Sequence, residues 1–253
     1  MMNYTKSEFY RIFITKEIYT AAGLLAGIAL LLNVALYFFG SSYANTSFSY
    51  SNLVANPMVF AFMGMIIPFL FYEEGKRNGN LKNTVAGGIS RVKIFAGECV
   101  VSLAVSTLLM AVTMGVWVLS ANLLLEKAGP VEWKDFLGEG AAMYLIAAAC
   151  LISGILFLEI FDKSIIGILV WAALWFLLPE AFMYLAIRFP VFYQPAMWLP
   201  NNFLAVNTSH VNTQECITAW ETMEGMIRCV LSGLAGCIIF GISGAVLLKR
   251  RDL

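Results

Sequence analysis

Apolar residues run along this chain in long blocks separated by short polar interruptions. The blocks cover about 21–39, 53–72, 91–125, 140–157, 165–187 and 229–248. An α-helix needs roughly 17–25 apolar residues to cross a bilayer's hydrocarbon. The pattern therefore predicts an all-α membrane protein with six transmembrane helices in a single transmembrane domain, 1–253. Pro57 and Pro68 predict kinks in the second span, and Pro179-Glu180 an interruption of the fifth. The third block is longer than a bilayer is thick, so its first turns should stand in the cytoplasm, with Glu98 near the inner membrane edge.

Between the spans the pattern changes character. Residues 3–19 alternate in a helical rhythm, with Phe9, Ile12 and Phe13 on one side and Lys6, Arg11 and Glu17 mostly elsewhere. Thr5 and Glu8 have capping-box spacing, and Tyr4 and Phe9 stand where a hydrophobic staple would put them. This predicts an amphipathic helix in the membrane interface; the alternative is a short soluble helix. Residues 41–52 and 126–139 read as loops. Residues 188–227 carry Pro190, Pro195 and Pro200 among aromatics and asparagines, which predicts a broken outer segment between helices five and six.

The most polar interruption is Glu73 to Phe95, where Lys76, Arg77, Lys82, Arg91 and Lys93 form the densest basic cluster. Leu81, Val85 and Ile89 recur every four residues and would give a short helix one apolar stripe. Gly79 and Gly87-Gly88 bracket that helix, and Ser90 is placed to cap the next one. Two readings stand side by side: a helix built to be gripped by a partner, or a charged loop that only sets topology.

Two sets of small residues suggest helix contacts. Gly23 and Gly27 form a GxxxG step, predicted to pack against the fifth span within the chain or across a dimer. Gly233, Cys237, Gly241 and Ala245 form a stripe of small residues on the last span.

Composition agrees with the pattern: 60% of residues are hydrophobic and 13% charged, against about 25% charged in soluble domains. The net charge of zero argues against nucleic acid as a partner. With both termini inside, the inner side carries Lys6, Arg11, Lys16, Lys76, Arg77, Lys82, Arg91, Lys93, Lys163, Lys249, Arg250 and Arg251. The outer side carries only Lys127, Lys134, Arg188 and Arg228. This bias predicts cytoplasmic termini.

Catalytic chemistry finds little support. The chain has one histidine, His210, in a loop. Gly241-Ile242-Ser243-Gly244 resembles the GxSG of rhomboid proteases, but no histidine follows Ser243. Glu73-Glu74 resembles the paired glutamates of intramembrane prenyl-protein proteases, but Asn78 stands where that family has arginine. Cys99, Cys150, Cys229 and Cys237 fall in or beside apolar blocks as packing residues, and Cys216 is alone in a loop, so no metal spacing appears. Glu180 is an intramembrane carboxylate, either a pathway or outer-gate residue or an inert wet helix break. No GxxxxGK[ST] phosphate loop is present, so ATP-driven work would need another polypeptide.

The layout resembles the membrane subunit of type-2 ATP-binding-cassette (ABC) exporters, the small bacterial permeases encoded apart from their ATPase. The motif-like part is Glu74, Asn78-Gly79-Asn80-Leu81 and Gly88-Ile89-Ser90-Arg91, with Asn80 departing from the usual threonine. The ending Lys249-Arg250-Arg251-Asp252-Leu253 also resembles the family's. The resemblance implies that Glu74, Gly79, Leu81, Lys82, Val85, Gly88, Ile89, Ser90 and Arg91 belong to a coupling helix docked on an ABC ATPase subunit. It implies two permeases, identical or related, in the plasma membrane, surrounded by lipid. ATP and Mg would sit on the partner subunit, with no cofactor in this chain. A drug, a lipid or an antimicrobial peptide is the implied cargo. A non-transporting scaffold or sensor that anchors a cytoplasmic partner is the alternative.

Overall fold

The structure, a computed structural model, describes residues 2–40, 43–77, 84–207 and 218–250. The regular structure among them is helical, with no strand. In chain order the helices are α1 (Met2–Ile14), α2 (Lys16–Phe39), α3 (Thr46–Val54), α4 (Val59–Arg77), α5 (Arg91–Leu124) and α6 (Trp133–Ile160). There follow α7 (Ser164–Ala172), a π-turn (Ala173–Leu177), α8 (Leu178–Arg188), a 3-10 turn (Pro190–Phe192), α9 (Tyr193–Ala196), α10 (Pro200–Asn207) and α11 (Met223–Arg250). Five helices are long and apolar enough to cross a membrane, with α7 through α8 counted as one, or up to six if α3 and α4 form one bent span.

That bent pair replaces the single second span expected from Leu53 onward. Asn45 accepts a hydrogen bond from the Phe48 N–H at 2.7 Å and starts α3 inside the stretch expected to be a loop. The chain then breaks around Pro57 and turns by 62° into α4. Pro lacks an N–H and cannot continue a helical ladder, so the break falls beside it. Pro68 stays within α4.

Helix α6 also starts earlier than expected, at Trp133. A reciprocal capping box between Glu132 and Asp135 fixes its start, the Glu132 N–H meeting the Asp135 carboxylate at 2.7 Å. Helix α11 likewise begins at Met223, ahead of the expected 229. At the N-terminus the helix already runs through Thr5, so Thr5 does not act as its cap. The chain turns a corner at Thr15, whose backbone is extended, which divides the expected 3–19 helix.

Helix α6 is the centre of the bundle and packs most extensively on α11 and α4. Small residues make this possible. A Cβ on Gly64 of α4 would lie 2.8 Å from the Leu151 backbone nitrogen, and one on Gly233 of α11 would lie 2.7 Å from the Leu145 carbonyl carbon. With lipid as apolar as the protein, such close backbone approach supplies contact energy that hydrophobicity alone does not. On another side Trp171 donates to the Cys150 carbonyl at 2.9 Å, and Trp175 to the Ser153 hydroxyl at 3.0 Å.

The α7–α8 helix absorbs its proline through the π-turn. The Leu178 N–H bonds Ala173 five residues back, and the helix continues through Pro179 to Arg188. Beyond it the short helices of 190–207 fold back on α8. Asn202 Nδ2 donates to the Pro179 carbonyl at 2.9 Å and to the Ala196 carbonyl at 3.0 Å. The described part of the proline-rich segment is thus broken, as its sequence predicts.

Candidate functional site

The end of the bundle that carries α1 gathers most of the buried charge. Ile12 of α1 is buried with Ile67 and Phe71 of α4 and Val101 and Val105 of α5. Around this apolar contact lies a polar ring. Arg11 pairs with Glu8 at 2.6 Å, donates to the Phe71 carbonyl at 3.3 Å and lies 5.8 Å above the Tyr72 ring. Tyr72 donates to the Glu98 carbonyl at 3.4 Å and accepts from the Ser102 hydroxyl at 3.3 Å. The Tyr4 ring lies against Gly97, where a Cβ would meet it at 2.8 Å.

Glu98 sits beneath these groups and is 5% exposed. One of its carboxylate oxygens has no hydrogen-bond partner. Glu159 and Glu8 stand close enough to repel it, and Arg11 close enough to offset part of that repulsion. Burial pushes the Glu8 carboxyl above its ordinary range, and Arg11 pulls it part of the way back. Burial also raises the Tyr4 hydroxyl, with the Glu98 and Glu8 charges adding to the effect. A buried carboxyl flanked by two others is costly to a fold and is by default a functional candidate in a membrane protein. Among the described residues no group of three or more His, Cys, Asp or Glu is placed to hold a metal ion.

The expected docking loop joins this same end. A helical turn finishes at Ala86 and closes in a Schellman motif: the Ile89 N–H bonds the Thr84 carbonyl at 3.4 Å and the Gly88 N–H bonds Val85 at 2.9 Å. Gly88 takes the left-handed conformation this needs, φ 85°. Ser90 then stands at the N-cap of α5, where its carbonyl accepts from Lys93 and Ile94 while its hydroxyl makes no capping bond. Val85, Ile89 and Arg91 are half-buried. Gly79, Leu81, Lys82 and the Glu74 side chain lie outside the described residues, so two of the three stripe positions are placed.

The small-residue predictions divide. Gly233 packs on α6 as read, and Cys237 reaches the Leu145 carbonyl at 3.6 Å. Gly241 has nothing within 4 Å, whereas Gly236 and Gly244 meet Ala149 and the Phe95 ring. The stripe is therefore rotated from the one the i, i+4 spacing selects. Gly23 and Gly27 also have nothing within 4 Å, and their helix packs on α5. Within the chain they therefore do not meet α7–α8, and the across-dimer half of the expectation lies outside a single chain.

Glu180 is exposed and accepts from Asn201 Nδ2 at 3.1 Å, which ties α8 to α10. Cys99, Cys150 and Cys229 are buried and free, in keeping with packing roles. His210 and Cys216 lie outside the described residues.

Sequence reading missed two buried polar groups. Asn33 of α2 is fully buried, donating to the Trp117 carbonyl at 3.1 Å and the Ser120 hydroxyl at 2.7 Å. It also accepts from the Ser49 hydroxyl, which in turn accepts from Trp117 Nε1 at 3.0 Å. A lone asparagine within an apolar block was the available signal. Glu139, in the stretch expected to be a loop, lies in α6, fully buried, with neither carboxylate oxygen hydrogen-bonded among the described residues. Its signal was the Glu132–Asp135 box one turn earlier. No protein-family model matches the chain, and no curated protein or solved structure is significantly similar to it.

Proposed function

We propose that this chain is the membrane-spanning permease subunit of an ATP-driven ABC exporter. In this reading it is a plasma-membrane protein with both termini in the cytoplasm. The bent α3–α4 pair counts as one of six spans, and α1 lies in the membrane interface. The observation that carries the reading is the connection from α4 to α5. Its helical turn is closed by Gly88 and leads directly into a 34-residue helix, so a push on the connection would be passed along a rigid rod. The motif residues from Glu74 to Arg91 and the basic bias at that end point the same way.

In this mechanism two permeases pair with two ATPases, and closure of the ATPase dimer moves the connections and tilts the spans. ATP shifts that equilibrium only by its differential binding to the two states. Drugs, lipids and antimicrobial peptides are the cargo classes the resemblance implies. The test is co-purification with a co-expressed ABC ATPase, then substrate-stimulated ATP hydrolysis in liposomes. Leu81→Ala with Val85→Ala should cost docking about 1–4 kcal/mol, or ~10- to ~1000-fold in affinity. Lys82→Ala should cost about 0–1 kcal/mol, since exposed ion pairs are weak. Retention of full ATPase binding by the double variant would return the loop to a topology-setting role. ATPase binding with no substrate-stimulated hydrolysis would favour the scaffold.

A further inference from the structure

A cavity of about 180 Å³ lies between α2, α4, α5 and α6, lined by Ile28, Phe60, Met110, Met114, Trp117 and Ala148 among others. Its walls are almost wholly apolar. Cavities of this size and lining, ~150 Å³ in the well-studied case, stay dry and take up benzene-sized molecules. The lining also includes Ile28, Val59 and Tyr144, which are exposed on the sides of the helices, so the cavity opens laterally. If these helices span a membrane, the medium at that mouth is hydrocarbon.

Polar side chains of Ser106, Thr107, Thr113 and Tyr144 interrupt the apolar wall, Thr113 bonding the Leu109 carbonyl at 2.8 Å. Thr107 and Tyr144 share a hydrogen bond of 2.9 Å. The Ser106 hydroxyl, shielded from solvent, has no hydrogen-bond partner among the described residues. Serine in a helix commonly bonds the carbonyl four residues back, as Thr107 does with Leu103 at 2.7 Å. Ser106 forgoes this in a largely apolar wall, and an unmade hydrogen bond there is unfavourable.

We propose that this cavity binds a membrane-dissolved amphiphile with an apolar part about the size of an aromatic ring and one hydrogen-bond acceptor for Ser106. The occupant enters from the lipid side and displaces no bulk water. The inference goes beyond the transport reading, because binding here needs neither an ATPase nor a second copy. Its test reads binding alone.

The probe is a diazirine-bearing benzyl alcohol, photolysed with the protein in lipid nanodiscs and mapped by mass spectrometry. Labelling should concentrate on Met110–Met114 and saturate under competition by unlabelled benzyl alcohol. Labelling at the exposed Leu123 should not saturate. Ser106→Leu fills the cavity from α5, and Ala148→Leu fills it from α6; each should abolish the saturable label and leave Leu123 labelling unchanged. Two walls are used so that one poorly folding variant leaves the other informative. Ser106→Ala should weaken the alcohol by about 2- to 10-fold, the worth of one hydrogen bond, and leave the matching toluene probe unchanged. Non-saturating label at Met110–Met114, or saturable label that survives both filling variants, overturns the proposal. Equal loss of the alcohol and toluene probes in Ser106→Ala overturns the role of the hydroxyl.

Discussion

Helices α2 and α6 are close to indistinguishable by hydropathy and opposite in their surroundings. Their most apolar stretches have mean hydropathy 2.1 and 2.4, yet 11% of the first and 67% of the second is buried. The difference lies in where small residues fall and what meets them. Gly154 of α6 has the Gly64 carbonyl and Met65 against it, and Gly233 and Gly236 of α11 press on the opposite side of α6. Gly23 and Gly27 of α2 face open space. Leu24, Leu31 and Phe38 on that helix are exposed, and its one fully buried polar group, Asn33, is what ties it to α3 and α5. Hydropathy reports that a helix can enter a membrane. It does not report whether lipid or protein will surround it.

The sharpest way to break this contrast is to add bulk at matched glycines. Gly64→Leu places a side chain where the α6 backbone already lies 2.8 Å from a Cβ. Overpacking a tight contact costs about 1–3 kcal/mol or more, and here the obstacle is backbone rather than a flexible side chain. We expect Gly64→Leu to abolish the monodisperse peak on size-exclusion chromatography while membrane insertion persists. A normal peak and unchanged thermal melting would place α4 and α6 farther apart.

Asn33 comes next in size. Asn33→Leu removes both of its donors and its acceptor, leaving the Ser49 and Ser120 hydroxyls short of a partner. Each unsatisfied buried group costs about 1–3 kcal/mol, though hydrogen bonds inside membrane proteins average nearer ~0.6 kcal/mol. A fall in melting temperature is expected, smaller than for Gly64→Leu. A Ser49→Ala, Asn33→Leu double variant should melt close to the single one, because the two residues act through the same network. Fully additive losses would show that they do not.

Part of this arrangement is legible in the sequence. Helix type and the approximate spans follow from period and length, which local chemistry controls. The break at Pro57 and the Schellman stop at Gly88 follow from residues with fixed backbone preferences. The partners do not follow. Gly236 and Gly244 hold the contacts where i, i+4 spacing selected Gly241, because the angle at which α11 crosses its neighbours decides which glycines meet something. Glu98 was legible as a carboxylate at a helix start, but its burial depends on α1 folding over it, a tertiary fact no local pattern carries. Glu139 stands in a polar stretch that reads as a loop but forms the capped first turns of a helix.

A smaller effect is expected from Glu8 on α1. Its folded value lies above the ordinary 4.5 because burial outweighs the attraction of Arg11. Between 4.5 and that raised value the folded protein holds a proton the unfolded chain has released, so stability falls as pH rises through the window. Below 4.5 the contribution is constant. Glu8→Gln should flatten this part of the melting-temperature profile relative to wild type. Parallel profiles across the window would mean that Glu8 stays ionised beside Arg11.

The smallest effect on the fold is expected where the sequence pattern looked most suggestive. Gly23→Leu with Gly27→Leu adds bulk to positions with nothing within 4 Å, so the melting temperature of the isolated chain should not fall. Replacing glycine inside a helix should even favour it slightly, by up to ~1 kcal/mol per site at exposed positions. Any loss must therefore come from a surface outside the chain, and the proposed second permease supplies one. Cysteine cross-linking at Leu24, in a background without the native cysteines, separates the outcomes. Cross-linked dimer in the glycine form that disappears in the leucine form, at equal melting temperature, would place this face between two copies. Dimer yield that ignores the substitution would leave the face to lipid, and the difference between α2 and α6 would then be one of solvent alone.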